Sequence, residues 1–351
     1  MFVSQLPLLQ VTRPGTYPVL GPSRADDGLL LVGHGSYCAV SGTEMAAIGR
    51  LTSVARPDLA VEVGYLEMSD PPAGVALDRL VARGVKRITI LPMMLLAAGH
   101  SKSDVPAVVL EARRRYPQIP VVYGRPFGVD HALCAIAHDN IAQVGGTGLP
   151  LLVIARGTSD PDANGEACRA SRLLAEFQKA PFVVTGFSGV TGPRVPEALD
   201  MCARLGATKL TVFSWFICNG KLVQRILNDE RAFAAERGIE IVDAGYFGPD
   251  PRLVPVILER YREANEGKVS MSCDTCAYRL PFPGEEDRVG QPIGVGHSHL
   301  ALEHRTGSHA HGDHGDHGDL SHGDHATGGH DHGDHSHGDH SDHGDHEHSH
   351  S

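Results

Sequence analysis

The chain has 351 residues, a length that suits two ordinary domains plus a tail, and a formal net charge of −11. Residues 297–351 hold nine Asp, two Glu and one Arg, a net −10, so residues 1–296 are close to neutral. No basic block matches a phosphate backbone and no run of eighteen apolar residues exists, which argues against a nucleic-acid partner and a membrane span.

Residues 1–27 read as an irregular leader, broken by Pro7, Pro14, Pro18 and Pro22, without the charged and apolar regions of a secretory signal. From Leu29 short β-rich runs alternate with amphipathic stretches. Strands are expected at Leu29–Val32, Val61–Tyr65, Arg87–Leu91 and Pro120–Tyr123, and helices at Gly42–Val54, Pro72–Arg83, Lys102–Arg115 and Asp130–Val144. Gly145-Gly146-Thr147-Gly148 reads as a hinge. The rhythm then restarts, with strands at Leu151–Ile154, Phe182–Gly186, Lys209–Ser214 and Ile239–Asp243. The helices between and after them are Asn164–Gln178, Val195–Leu205, Lys221–Glu236 and Arg252–Ala264. Such alternation implies an α/β fold with parallel sheets covered on both faces.

The second half repeats the first. An offset of 122 residues carries Leu29 onto Leu151 and holds without a gap to Leu96 on Cys218. Along it Gly35 meets Gly157, Gly64 meets Gly186, Pro71 meets Pro193, and Ala76-Leu77-Asp78 meets Ala198-Leu199-Asp200. The expected organisation is a domain over 28–146, a degenerate copy over 147–266, a linker with a CxxC pair over 267–296, and a disordered tail over 297–351. Two similar halves leave a cleft between them.

What the copy has lost points to chemistry. His34 and Glu67 stand just past the first and second strands, but their repeat partners are Arg156 and Gly189. His100 follows the third strand, while the matching stretch Cys218-Asn219-Gly220-Lys221-Leu222 has no histidine. Strand C-termini of an open parallel sheet converge on one crevice, and two imidazoles with a carboxylate suit Co, Ni, Zn or Fe(II). Taken singly, His34 also reads as a hydrogen-bonded turn residue and Glu67 as a helix cap. His131 and His138, about two turns apart on one helix, read as ordinary helix residues. Gly33 and Gly35 give only part of a phosphate-loop spacing.

The order VGHGS, YLEMSDPP, LPMMLLAAGHSKSDVP resembles the CbiX branch of the class II tetrapyrrole chelatases. The resemblance covers about residues 28–265 as a two-domain long form, and extends to Met271-Ser272-Cys273-Asp274-Thr275-Cys276 and the His-rich C-terminus. It implies two Rossmann-like halves with a tetrapyrrole in the cleft, His34 and His100 as catalytic and metal-binding histidines, and Glu67 as metal ligand. It implies cobalt insertion into sirohydrochlorin for cobalamin synthesis. Iron insertion for sirohaem is the alternative, and a cobalt or nickel storage protein or metallochaperone is a third reading. The chemistry needs two pyrrole protons removed and calls for no nucleotide and no redox step. Arg156 and Lys221 are candidates to meet the carboxylates of the macrocycle. Exchanging Arg156 should weaken substrate binding more than turnover.

The resemblance further implies an iron–sulfur centre at Cys273 and Cys276, against the alternatives of a surface thiol pair or a metal hand-off site. Two cysteines supply half of the usual four ligands, so the others would come from histidines or from a second chain, which would make a homo-oligomer. The five isolated cysteines read as reduced thiols of a cytoplasmic protein. Of 22 histidines, 18 lie in the tail. His309, His311, His314, His317, His322, His325, His330, His332, His335, His337, His340, His343, His346, His348 and His350 are the expected ligands of a metal reservoir, spaced to chelate Co, Ni, Zn or Cu with little selectivity.

Overall fold

Leu29-Leu30-Leu31-Val32 is apolar without alternation, the pattern of a strand covered on both faces. In the structure, a computed structural model, every residue of β1 (Asp27–Gly33) is buried. The structure describes residues 26–269, apart from the side chains of residues 221, 222 and 225–230. The leader before residue 26, Cys273, Cys276, the rest of the linker and the His-rich tail lie outside the described residues.

The first half runs β1, α1 (Ala39–Ala55), β2 (Ala60–Tyr65), α2 (Ala73–Ala82), β3 (Arg87–Pro92), a π-helical turn (His100–Asp104), α3 (Val105–Arg115), β4 (Val121–Tyr123) and α4 (His131–Gln143). The second runs β5 (Leu151–Ala155), α5 (Pro161–Gln178), β6 (Val183–Phe187), α6 (Val195–Arg204), β7 (Lys209–Ser214), α7 (Lys221–Glu236), β8 (Glu240–Asp243) and α8 (Leu253–Asn265). Each half builds one parallel four-stranded sheet, ordered β2-β1-β3-β4 and β6-β5-β7-β8. The repeat survives in the register: Leu29 pairs with Val61, and its counterpart Leu151 pairs with Val183.

The helix expected at Lys102–Arg115 is two elements. A wide π turn comes first, and the regular helix begins only at Val105. A 3.6-residue period cannot register a widened turn. The helix expected from Asn164 begins at Pro161, with the Asp160 side chain capping it through the Asp162 amide. In the glycine run expected as a hinge Gly146 is buried, its carbonyl accepting a hydrogen bond from the buried Thr211 hydroxyl at 2.8 Å, while Gly145, Thr147 and Gly148 are exposed.

The terminal helices are exchanged. α4 packs on α5 and β7 of the second half, and α8 packs on α1, β3 and β4 of the first. One core cluster therefore runs through both halves, from Leu29, Ile48 and Phe127 to Phe213, Trp215 and Ile257. The outer faces have cores of their own, under α2 and α3 in one half and under α6 and α7 in the other. Polar pins hold α8 in place. The Tyr261 hydroxyl donates to Asp27 at 2.6 Å, and Arg87 reaches the same buried carboxylate. Arg260 donates to the Phe127 carbonyl at 2.6 Å and to Asp130, the capping residue of α4, at 2.9 Å. Burial, helped by the charge of Arg125, lowers the Arg260 pKa from its usual value, against the pull of Glu263 and Asp130.

Candidate metal-handling site

β1 and β2 are neighbours, so the loops that leave their C-terminal ends lie side by side. His34 follows β1 and Glu67 follows β2, and the backbone joins them, the Glu67 amide donating to the His34 carbonyl at 3.0 Å. Ser69 ties the loops again. Its hydroxyl accepts from the Ser36 amide and donates to the Ser36 carbonyl, both at 2.9 Å. This close approach needs Gly35, whose φ of +100° is foreign to residues with a side chain. A Cβ at Gly35 would strike the Glu67 carbonyl oxygen. Gly157 repeats the device in the second half, with φ +75° and the Gly189 carbonyl as the obstacle.

His34 Nε2 lies 3.0 Å from Glu67 Oε1, and its Nδ1 lies 3.0 Å from the Gly35 carbonyl. Both ring nitrogens thus face oxygen acceptors, and a neutral ring can donate to only one of them. The His100 ring, brought in by the π turn, meets the His34 ring edge-on with centroids 4.5 Å apart. His100 Nδ1 is 2.5 Å from Asp104 Oδ2, one turn further on. A carboxylate oxygen accepts, so Nδ1 is the nitrogen that donates to Asp104, which leaves Nε2 for other partners. Among the described residues no three His, Cys, Asp or Glu side chains stand in a ready-made metal cage. A cation taking His34 Nε2 and Glu67 as ligands displaces any proton held between them.

The three residues singled out in the first half, His34, Glu67 and His100, are thus brought together around the His34 ring. In the second half Arg156 is exposed, and its guanidinium lies where a Cβ at Gly189 would be. Lys221 opens α7, the helix after β7, as His100 opens the turn after β3. His131 and His138 lie on α4, and His138 is hydrogen-bonded to Gln178.

Sequence reasoning passed over four charged residues near this site. Asp104 orients His100, and its signal was the spacing of four residues. Lys102, within the same turn, reaches Asp160 at 2.7 Å and Asp162 at 3.0 Å on α5 of the other half. These side chains are 2 to 3% exposed. Burial works against the Lys102 ammonium, but the hydrogen bonds to Asp160 and Asp162 together outweigh it and raise its pKa.

Comparison with known structures agrees with this architecture. SirB from Bacillus subtilis with Fe3+ superposes with a TM-score of 0.62 at 24% identity, over 70% of this chain and 99% of that one. The SirB chelatase of Bacillus subtilis subspecies spizizenii in complex with cobalt gives 0.60, over 69% and 96%. The fold is that of the chelatases. The CbiX family model matches twice, over residues 28–144 and 150–264, once for each half. A sirohydrochlorin cobaltochelatase of Priestia megaterium is 36% identical over 259 residues, 72% of this chain and 84% of the relative. A sirohydrochlorin ferrochelatase of Bacillus subtilis is 26% identical over 67% of this chain and 90% of the relative. The chain belongs to the CbiX family.

Proposed function

We propose that the chain inserts Co2+ into sirohydrochlorin, without ATP, on the route to cobalamin. The observation that carries this is the meeting of His34, Glu67 and His100 at the strand ends of one half only. The 36% identical cobaltochelatase supports the reading. The enzyme is a metal-inserting lyase, and we assign it to the cytoplasm, in keeping with its free cysteines Cys38, Cys134, Cys168, Cys202 and Cys218.

In balance, Co2+ replaces two pyrrole protons of the macrocycle, and two protons leave. His34 Nε2 and Glu67 take the incoming ion; any proton held between them leaves to solvent and is regained from a pyrrole when the ion moves to the macrocycle. The carboxylate offsets one of its charges. His100, with Nδ1 held by Asp104, offers Nε2 to the metal or to a pyrrole proton, and a neutral imidazole with a reference pKa of about 6.5 serves either role near neutrality. Arg156 at the rim of the second half, with Lys221, meets carboxylates of the macrocycle. The His-rich tail acts as a reservoir. Imidazole clusters hold cobalt and nickel more tightly than Fe(II), which favours cobalt as the delivered ion.

The test follows the absorbance of sirohydrochlorin with Co2+, Fe2+ or Ni2+, using the full chain, a chain ending at residue 266, and His34→Ala and His100→Ala variants. Cobalt preferred, with both variants inactive, is expected. Iron preferred would move the reading to sirohaem synthesis. Undiminished metal capacity with no insertion by any form would make the chain a storage protein and overturn the enzyme reading.

A further inference from the structure

The two halves part company after their third strands. Tyr123 pairs with Ile90 across β3 and β4, an interval of 33 residues, while Asp243 pairs with Val212 across β7 and β8, an interval of 31. The first half therefore carries two additional residues in this connection, and it is here that the π turn His100–Asp104 stands. π turns are rare, and they are frequent at functional sites.

Ties between the halves show the same contrast. One is reciprocal: Glu44 accepts from the Asn219 amide at 2.6 Å, and Glu166 accepts from the Ala97 amide at 3.2 Å. Glu44 and Glu166, like Ala97 and Asn219, are counterparts under the 122-residue offset, so duplication accounts for the pair. The bridge from Lys102 to Asp160 and Asp162 is not reciprocal. The counterparts of Asp160 and Asp162 in the first half are Cys38 and Val40. Among the described residues, an almost fully buried three-charge bridge stands between the halves two residues from His100.

We propose that Lys102 is a positioning residue, and that its bridge to Asp160 and Asp162 fixes the His100 turn against the second half, which thereby serves a metal site whose ligands it has lost. The inference rests on the chelatase reading given above. Charges withdrawn from water add little net stability even when well paired, so geometry rather than stability is what such a bridge supplies. The turn also holds Asp104, so both the path of the His100 backbone and the orientation of its ring depend on where the turn is pinned. A displacement of about 1 Å at such a group costs on the order of 100-fold in rate.

The test compares full-length wild type with Lys102→Met, with Lys102→Met/Asp160→Asn/Asp162→Asn, and with Glu44→Gln, which removes a tie made to Asn219 and not to the His100 turn. Three quantities are read: Tm, hydrogen exchange of peptides spanning residues 97–105, and kcat and KM for cobalt insertion. Lys102→Met lowers Tm because two buried carboxylates lose the ammonium that offsets their charge, and the neutral triple variant regains it. In the triple variant residues 97–105 exchange about tenfold faster. Its kcat stays about 10- to 100-fold down while KM for sirohydrochlorin moves less than about twofold. Glu44→Gln loses some Tm but keeps wild-type kcat and exchange at 97–105. Recovery of kcat together with Tm in the triple variant, or unchanged exchange at 97–105, overturns the proposal. If the wild type inserts no metal, the chelatase reading falls, and exchange alone decides the tether: lost protection supports it and kept protection refutes it.

Discussion

Gly35 and Gly157 allow the consequences of one substitution to be separated into strain and chemistry. At Gly35 an alanine is held at φ +100° and its Cβ strikes the Glu67 carbonyl oxygen. The left-handed backbone costs about 1–2 kcal/mol. Overlap with a backbone atom, which no side-chain rotation relieves, adds another ~1–3 kcal/mol. Gly157→Ala meets the same terms, with φ +75° and the Gly189 carbonyl as obstacle. Gly84→Ala, at φ +79° with no atom within 4 Å of its Cβ, measures the backbone term alone. Gly35→Ala and Gly157→Ala should thus each lose about 2–5 kcal/mol, a Tm drop of roughly 4–20 °C, and Gly84→Ala about 1–2 kcal/mol. Domain stabilities of about 5–15 kcal/mol leave most variant molecules folded at 25 °C. Urea unfolding gives the stabilities, and initial rates of cobalt insertion per folded molecule give the chemistry. Relief of the clash at Gly35 moves the loop bearing Glu67, so Gly35→Ala should lose about 100-fold in rate, while Gly157→Ala should stay near wild type. Equal rates for the two variants, or a Gly84→Ala cost as large as theirs, would refute the reasoning.

Other outcomes follow from the same contacts. Tyr261→Phe removes a hydroxyl that donates to the buried Asp27 carboxylate and should cost about 1.5–3 kcal/mol in urea unfolding, with turnover unchanged. Asp104→Ala frees Nδ1 of His100 and should lower the rate of insertion about 10- to 100-fold without a matching fall in Tm, as measured by parallel kinetics and calorimetry. Arg156→Ala should raise KM for sirohydrochlorin and leave kcat nearly unchanged, and an unaltered KM would remove Arg156 from the substrate site. Burial pushes the Cys134 thiol up to about 11, with a smaller push from Asp130, and burial takes the Cys202 thiol to about 12. The unfolded thiols ionise first, so stability should fall as pH rises from about 9 until the folded thiols titrate, by up to ~1.4 kcal/mol per pH unit for each. Replacing both cysteines by alanine should remove their share of that slope and leave the share of Cys218, whose thiol burial also raises.

Much of this arrangement was legible in the residues. Four successive apolar positions at Leu29–Val32 announced a strand covered on both faces, and the repeat set His34 against Arg156 and Glu67 against Gly189 before any distance was known. The Asp160-Pro161 helix start was visible as a cap followed by proline but was read three residues late. Lys102 sat in a quoted motif without a role, because a lysine among polar neighbours reads as solvated; its partners lie 58 and 60 residues away in the other half. Asp104 was at helical spacing from His100, yet the pair forms across a widened turn that periodicity does not encode.

The sequence by itself determined the alternation of strands and helices, the duplication, and the half that retained two imidazoles and a carboxylate. These properties reside in residues near one another in the chain or in a comparison of the chain with itself. The tertiary structure decided which sheet each terminal helix covers, that Lys102 is buried between two carboxylates, and that the Arg156 guanidinium lies beside Gly189. An apolar stripe fits the face of either sheet equally well, and a charge can be buried only where distant residues bring its partners. Both are therefore fixed only when the two halves pack together.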